Sequence, residues 1–372
     1  MSHPTRRHFS ALLIGSVALR AQAPPAASII PMGGGYSGWP TVARRSNGEL
    51  LLAFSGDREA HVCPFGRVKW AVSRDEGRSW SWPRVLMDSA IDNRDAGVVE
   101  TGGGALLVTT FTSLAYETVF ERARADGFKG WSPDKVERWE AAGRRVSAAA
   151  RKFWLGCWML RSTDGGVSWS APHRVPVNSP HGPAALADGR MLYAGKDLWG
   201  GGAVGVCESA DDGASWKWLA KIPARPGDSV DFYHELHVVE AKNGHLIAQI
   251  RNENAQNRNE TLQSESVDGG KTWSVPHSIG VWGVPSHLLR LRDGRLVMTY
   301  GYRRAPFGNE ARISTDSGAT WSEPIKVSED GTRTDLGYPS TVELTDGGLL
   351  TVWYEVRPES PQSVLRMARW KI

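Results

Sequence analysis

Five copies of one eight-residue pattern, Ser-x-Asp-x-Gly-x-(Ser/Thr)-Trp, constrain the fold of this chain more than any other feature. They occupy residues 73–80, 162–169, 209–216, 266–273 and 314–321. An Asp side chain in a tight turn caps nearby backbone N–H groups, and the Gly supplies a positive φ. The Trp offers a large apolar surface for packing between neighbouring units. The pattern therefore predicts a structural turn at the rim of a repeated unit, not a catalytic element.

A second repeat alternates with these turns and consists of an apolar segment, a turn with glycine, and another apolar segment. Its turn glycines stand at positions 48, 104, 189, 244, 294 and 347. Asn-Gly and Asp-Gly between alternating apolar runs predict β-hairpins with type I′ turns. All but one of the intervals between these glycines are 50 to 56 residues long. That length has room for four short strands, which is the size of a propeller blade.

The second interval is longer, and its excess lies at about 113–157. This segment is rich in Ala, Arg and Glu and therefore predicts inserted helices. The sixth unit lacks the Trp turn, so we expect an N-terminal strand near residues 27–32 to complete it and close the ring. The predicted fold is all-β: a six-bladed β-propeller over residues 24–372 with a helical insertion in blade two. Its five Ser-x-Asp-x-Gly-x-(Ser/Thr)-Trp turns are called Asp boxes below.

The first 23 residues differ from the rest of the chain. Arg6 and Arg7 precede a short apolar run, and small residues follow it up to Ala23. This pattern predicts a bacterial signal peptide of the twin-arginine type, and hence a periplasmic or secreted protein with no membrane anchor after cleavage. A membrane-spanning anchor is the alternative, but the apolar run is only about half of the ~20 residues that a span needs.

Charge and cysteine content exclude several classes of partner. The formal net charge is only +4, and no Lys/Arg stripe with interleaved aromatic residues occurs, so we expect no nucleic acid partner. Cys63, Cys157 and Cys207 show no CxxC spacing and no neighbouring His cluster. We expect these cysteines to be buried, with one disulfide as the alternative, and we expect no metal or cofactor.

Polar residues occur where the first strands of the six blades would meet around the central axis. Those positions are expected to converge on one face of a propeller. The candidates for this face are Arg58, Glu59 and His61 in blade one, Arg94 and Asp95 in blade two, His181 in blade three, Glu235, His237 and Arg251 in blade four, His287 and Arg303 in blade five, and Tyr338 in blade six.

The Asp boxes on six blades resemble those of the sialidase (neuraminidase) superfamily, and the resemblance covers nearly all of residues 24–372. The segment "LGYPSTVELTDGGLLTVWYE" is similar to the one that holds the sialidase nucleophile, which implies Tyr338 as nucleophile and Glu355 as its partner carboxylate. The segment "YHELHVVEAKNGHLIAQIRNE" implies Glu235 as the group that activates the tyrosine. The same resemblance implies that Arg251 and Arg303 bind the substrate carboxylate.

These residue types suit the chemistry of sialic acid. A sialic acid carries a carboxylate beside its anomeric carbon and would repel a carboxylate nucleophile, whereas a neutral phenol avoids that repulsion. Arginine suits the substrate carboxylate because its planar fork binds two oxygens at once.

Two positions depart from the sialidase pattern. Gly38 stands where the first arginine of the carboxylate-binding triad is expected, so Arg94 or Arg58 would have to replace it. The loop "EAHVCPFG" after Arg58 has no Asp at the usual position of the general acid. His61, or otherwise Glu59, is the expected substitute.

The sequence thus predicts an exo-acting glycoside hydrolase of sialidase type that acts on a glycan or glycoconjugate. Substrate contacts are expected from Arg58, Arg94, Asp95, Arg251, Arg303, His181, His237, His287 and Glu355. Two alternatives stay open. One is a related glycosidase or uronate lyase, in which Tyr338 and a histidine abstract a proton, and the other is a non-catalytic carbohydrate-binding propeller.

Overall fold

A computed structural model describes residues 23–360 and 362–372, and it forms six four-stranded antiparallel sheets arranged as the blades of a propeller. The predicted signal peptide lies outside the described residues, apart from Ala23. The first strand is β1 (Ala27–Ile30). Blade one contains β2 (Tyr36–Arg44), β3 (Leu50–Arg58), β4 (Arg67–Ser73) and β5 (Arg84–Met87). Blade two contains β6 (Asp92–Glu100), β7 (Leu106–Ser113), β8 (Cys157–Ser162) and β9 (His173–Arg174). Blade three contains β10 (Ala184–Ala185), β11 (Met191–Lys196), β12 (Val204–Ser209) and β13 (Lys217–Lys221).

The remaining blades repeat the same order from the axis outward. Blade four contains β14 (Tyr233–Glu240), β15 (Leu246–Asn252), β16 (Glu260–Ser266) and β17 (His277–Trp282). Blade five contains β18 (Ser286–Arg290), β19 (Leu296–Tyr302), β20 (Phe307–Ser314) and β21 (Ile325–Gly331). Blade six contains β22 (Leu336–Glu343), β23 (Leu349–Val356) and β24 (Ser363–Trp370). Short 3-10 turns lie at Val230–Phe232 and Ala255–Asn257. In blade six, β1 pairs with β24 as the outermost strand, with Ala27 opposite Ala368. The expected closure of the ring is confirmed.

The inner hairpins form as predicted, but the predicted type I′ turn is wrong. All six turn glycines have φ between 79° and 95°, whereas the residue before each of them is not left-handed. In the first hairpin Gly48 N–H donates to the Arg45 carbonyl (3.0 Å) and Arg45 N–H donates to the Glu49 carbonyl (2.8 Å). This is a three-residue loop that ends in a glycine bulge, which needs a positive φ at only one residue.

The Asp boxes join the third and fourth strands of blades one to five, and their hydrogen bonds follow the expected pattern. In the first box Gly77 N–H donates to Ser73 Oγ (2.7 Å), and Ser79 N–H donates to Asp75 Oδ1 (2.8 Å). The other four boxes make the same two bonds. The turn is therefore held by its own Ser and Asp side chains.

The apolar core is divided into clusters that lie between consecutive blades. Each of the six inter-blade interfaces has its own cluster, including the one between blades six and one. The box tryptophans belong to these clusters: Trp169 of blade two packs edge-on against Trp70 of blade one, with ring centroids 5.3 Å apart. The repeated Trp thus joins each blade to the preceding one, as predicted.

The insertion in blade two consists of α1 (Ala115–Ala125), α2 (Pro133–Arg144) and α3 (Ala148–Trp154), all between β7 and β8. Its apolar cluster includes Tyr116 and Trp139 and packs on Cys63, in the loop after β3. Within the described ranges, no helix is long and apolar enough to cross a bilayer. The three cysteines are free and buried.

Candidate active site

Four blades place a residue with a strained backbone at the same position, nine residues before the turn glycine. These residues are Trp39, Asp95, Glu235 and Tyr338, with φ values of 52°, 36°, 43° and 53°. The register of the innermost strand shifts at each of them, which is a β-bulge. A bulge re-aims a side chain, and a left-handed non-glycine residue costs about 1–3 kcal/mol. The fold therefore maintains this geometry at four equivalent sites around the axis.

The site is built around a contact between blades four and six. Tyr338 Oη donates a hydrogen bond to Glu235 Oε1. Arg251 Nη1 lies 2.6 Å from Glu235 Oε2 and 3.2 Å from Tyr338 Oη, and its Nε donates to Glu253 (2.7 Å). The structure thus brings together the three residues that the sialidase resemblance implied.

Burial and charge fix the protonation states of this contact. Burial raises the pKa of Tyr338 well above its ordinary value, and the negative charge of Glu235 adds to the effect. Burial alone would raise the pKa of Glu235, but the charge of Arg251 and the hydrogen bond from Tyr338 outweigh it, and the pKa is lowered. At neutral pH the pair is therefore a neutral phenol that donates to an ionised carboxylate.

Two further arginines lie at the centre. The Arg303 guanidinium is 5.6 Å from the ring centroid of Tyr338, and its Nε donates to the Leu336 carbonyl (3.1 Å). The Arg94 guanidinium is 4.5 Å from the ring centroid of Trp39, and its Nη1 donates to the His61 carbonyl (3.2 Å). Both arginines keep N–H groups without partners among the described residues. Asp95, the neighbour of Arg94, is buried beside this group.

A carboxylate that the sequence analysis missed organises the blade-one side of the site. Asp335 lies 3.0 Å from His61 Nδ1 and accepts hydrogen bonds from Tyr36 (3.0 Å) and Tyr354 (3.1 Å). The His61 ring packs edge-on against Trp39, at 5.0 Å between centroids. The signal that could have found Asp335 is its place just before the innermost strand of blade six, three residues from Tyr338.

Arg58 and Glu59, predicted as site residues, are engaged in structural contacts. The Arg58 side chain is fully buried and donates to both oxygens of Asp92 (2.6 and 2.8 Å) and to backbone carbonyls, so it has no free group for a substrate. Glu59 accepts from Arg138 (2.8 Å) and from the Trp139 indole (3.0 Å). It therefore links the loop after β3 to the helical insertion.

Glu355 also lies outside the site, because adjacent residues of a strand point to opposite faces. The side chain of Glu355 is buried in an ion pair with Arg366 on β24. Its neighbour Tyr354 faces the site instead, with its ring 5.8 Å from that of Tyr338. On this strand the residue that contacts Tyr338 is therefore Tyr354, whereas Glu355 pairs with Arg366.

The three predicted histidines lie deeper along the axis than Tyr338 and Glu235. His181, His237 and His287 pack together, with ring centroids 4.6 to 5.4 Å apart. They line a cavity of about 360 Å³ whose other walls include Glu240 and Glu343, near the inner hairpin turns. The structure therefore places these histidines in a separate cavity from Tyr338, and their contact with a substrate stays a prediction.

His237 and His287 present no free ring nitrogen to a metal in this arrangement. His237 Nδ1 accepts a hydrogen bond from Leu288 N–H (2.9 Å), and His287 Nδ1 accepts one from Thr341 N–H (3.4 Å). In a neutral imidazole the proton then sits on Nε2, which leaves no free lone pair for a metal.

The repeats belong to a known family. Residues 125–352 match the family described as the BNR repeat-like domain. This chain is a member of that family. Among curated proteins, a xyloglucanase of a Paenibacillus species is 26% identical over 223 residues, which is 52% of this chain and 21% of the xyloglucanase. The match thus covers only a small part of that relative.

Several solved structures superpose on this BNR-family chain over most of its length. A protein of unknown function from Dyadobacter fermentans superposes with a TM-score of 0.73 and 25% identity, covering 93% of this chain and 98% of that protein. The NanB sialidase of Streptococcus pneumoniae superposes with a TM-score of 0.65 and 15% identity, covering 95% of this chain and 71% of the sialidase. The six-bladed propeller predicted from the sequence is confirmed, and solved sialidases share this fold.

Proposed function

We propose that this protein is an exo-acting, retaining glycoside hydrolase that cleaves a terminal sialic or other acidic sugar, with Tyr338 as the nucleophile. The observation that carries the proposal is the hydrogen bond from the Tyr338 hydroxyl to Glu235, with Arg251 touching both groups. Relatives of the fold that are named sialidases, and the relative named xyloglucanase, support a glycan substrate.

The charges of the dyad explain how a phenol can act as the nucleophile. Tyr338 is neutral in the resting site, so an anionic sugar is not repelled by it. As the bond from Tyr338 Oη to the anomeric carbon forms, the phenol proton passes to Glu235 Oε1. Arg251 keeps Glu235 ionised beforehand and so keeps it able to accept that proton.

The arginines differ in what they offer a substrate carboxylate. Arg251 is already paired with Glu235 and Glu253. Arg303 and Arg94 retain free N–H groups and would hold the carboxylate of the sugar. A cavity of about 530 Å³ opens over Glu235 and Arg251, and Phe232 forms part of its wall. This cavity reaches the dyad from the side of Glu235.

A hydrolase for neutral sugars is the second candidate. The pairing of Arg251 with two carboxylates and the glycine at position 38 favour it, because both reduce the positive charge available to an anionic substrate. The same dyad would serve as nucleophile and proton acceptor.

Hydrolysis of a panel of methylumbelliferyl glycosides, including a sialoside, uronides and neutral sugars, tests the proposal. We expect release of the aryl group from an acidic glycoside, with retention at the anomeric carbon by NMR, and a loss of at least about 10³-fold in Tyr338→Phe. Tyr300→Phe is the matched control, because Tyr300 donates to Glu310 (2.8 Å) and contacts Arg312 (3.0 Å) away from the site.

Other outcomes of this panel separate the alternatives. Turnover of neutral glycosides only would favour the second candidate. New absorbance from an unsaturated uronate, with a 4-linked uronate oligosaccharide as the substrate, would indicate a lyase, and binding without turnover of any substrate would indicate a carbohydrate-binding protein. Full activity in Tyr338→Phe would overturn the assignment of the nucleophile.

We also propose export by the twin-arginine route to the periplasm or the medium, on the basis of Arg6 and Arg7. Fractionation of cells that produce the full chain tests this. Retention of an Arg6→Lys, Arg7→Lys double variant in the cytoplasm would support it, whereas unchanged export would contradict it.

A further inference from the structure

Asp95 is a buried carboxyl group that the nucleophile and its partners leave without a role. We propose that Asp95 is the general acid that protonates the leaving-group oxygen, in place of the loop aspartate that this chain lacks. The inference rests on the proposed glycosidase function and assigns the missing half of its chemistry.

The position of Asp95 is equivalent by repeat to those of Glu235 and Tyr338. All three occupy the bulge nine residues before a turn glycine, with the same left-handed backbone. The charges of six groups are coupled to that of Asp95: those of Arg94, Arg58, Glu235 and Arg251 act on its pKa, and its own charge acts on the pKa values of Tyr338 and Tyr193. Asp95 therefore shares the electrostatic environment of the nucleophile.

The surroundings of Asp95 favour its neutral form. Only 5% of the residue is exposed, and no group among the described residues donates a hydrogen bond to its carboxyl oxygens. A buried carboxylate without donors is costly, so such a group takes up a proton instead. Burial raises the pKa of Asp95 to about 7, with Glu235 adding to the rise and Arg94 opposing it.

The other candidates for the acid are less suited. Glu59 is tied to Arg138 and Trp139 in the insertion. Partial burial lowers the pKa of His61 despite its contact with Asp335, so its imidazole is neutral at pH 7. With Nδ1–H directed at Asp335, the free Nε2 of His61 is a proton acceptor, which suits a base rather than an acid.

The proposed reaction has two steps, after which Asp95, Tyr338 and Glu235 have returned to their starting protonation states. In the first, the bond between the anomeric carbon and the leaving oxygen breaks, and that oxygen takes the proton of Asp95, while Tyr338 Oη bonds to the sugar and gives its proton to Glu235. In the second, water attacks the sugar and gives a proton to the Asp95 carboxylate. The bond to Tyr338 breaks, and its oxygen recovers the proton from Glu235.

Leaving-group dependence tests this role. An acid is needed for a poor leaving group and much less for a good one, so Asp95→Asn is expected to slow cleavage of an alkyl glycoside by about 100-fold or more. The matching dinitrophenyl glycoside needs little acid help. The rate at which it releases dinitrophenol, in the step that transfers the sugar to Tyr338, should therefore fall by far less. His61→Asn is the comparison variant, and we expect it to change both substrates by the same factor.

The results that overturn the inference are distinct from those that overturn the hydrolase. Equal losses on both substrates in Asp95→Asn, or a rise in KM alone, would show that Asp95 only binds or supports structure. A leaving-group effect in His61→Asn with none in Asp95→Asn would move the acid to His61. Failure of the wild-type protein on every glycoside would instead remove the proposed function itself.

A titration gives a second readout that does not depend on activity. Carboxyl carbons of ¹³C-labelled aspartate can be followed by NMR, with Asp95→Asn identifying the resonance. A midpoint above pH 6 supports the proposal, and a midpoint near or below the ordinary value of about 4 overturns it.

Discussion

Tyr338 and Glu235 occupy the same position of blades six and four, and the hydroxyl of one donates a hydrogen bond to the carboxylate of the other. The two residues are far apart in the sequence, so only closure of the ring brings them together. Because each backbone is left-handed at this point, the scaffold stores strain at both ends of a single hydrogen bond.

Replacement of Glu235 by Gln should separate packing from proton transfer. An amide can still accept the hydrogen bond from Tyr338, but it cannot take up the phenol proton. We expect kcat on the preferred glycoside to fall by about 10²- to 10⁴-fold, with little change in the melting temperature. Glu310→Gln, which alters the partner of Tyr300, is the control. A kcat within a few-fold of wild type in Glu235→Gln would show that Glu235 does not accept the proton.

Replacement of Asp335 by Asn should alter the titration of His61. The hydrogen bond and negative charge of Asp335 raise the pKa of His61 against the effect of burial. We therefore expect the midpoint of His61, followed by NMR of its ring, to fall by about one pH unit in Asp335→Asn. Asp57→Asn, which removes a carboxylate paired with Lys69, is the control. An unchanged midpoint would mean that the contact with Asp335 does not determine the charge of His61.

The three axial histidines should limit stability in acid. Burial lowers the pKa of His237 to about 3, and it holds the pKa values of His181 and His287 well below 6.5. The unfolded chain therefore binds more protons below pH 6.5, and the folded state loses stability as the pH falls from 6.5 toward 3. When the pH is lowered from 7 to 5, we expect the free energy of unfolding of His237→Gln to fall by about 2 kcal/mol less than that of the wild type, measured by urea unfolding.

His277 provides a control of opposite sign for that measurement. Its contact with Glu265 (2.8 Å) outweighs partial burial and raises the pKa of His277. Its contribution to stability is therefore present below pH 6.5 and lost as the pH rises through the raised value. His277→Gln should make the protein slightly less stable in acid. The explanation fails if His237→Gln and His277→Gln change the loss of stability between pH 7 and pH 5 in the same direction.

Removal of a box tryptophan should destabilise the joint between two blades. Trp169→Ala opens the cluster shared with Trp70, and we expect the free energy of unfolding to fall by about 3 kcal/mol. Trp82, which is 75% exposed, is the matched control, and its change to Ala should stay within about 0.5 kcal/mol. Equal losses in the two variants would contradict the role of the box in joining blades.

The spacing of the turn glycines predicted the blades and the place of the insertion, and the missing Trp turn of the sixth unit predicted closure by an N-terminal strand. The resemblance supplied the partnership of Tyr338 with Glu235, and it implied Arg251 as a ligand of the substrate carboxylate and not as the partner of both groups. The spacing could not show that Arg58 pairs with Asp92 across two blades, nor that Asp335 meets His61, since both contacts depend on how separate loops pack. The alternation along β23 does distinguish Tyr354 from Glu355, and that signal was present in the sequence.

The pairing of β1 with β24 has a consequence for how the protein folds. The sheet of blade six is complete only when β1 meets β24, whereas the other strand pairs of the described residues join strands that are consecutive in the chain. A pairing between such distant strands has to close a long loop before it forms, which slows this step and leaves the strand edges of blade six unpaired meanwhile. The β1 edge is thus a vulnerable point for misassembly, and its docking is the event that commits the propeller to its closed form.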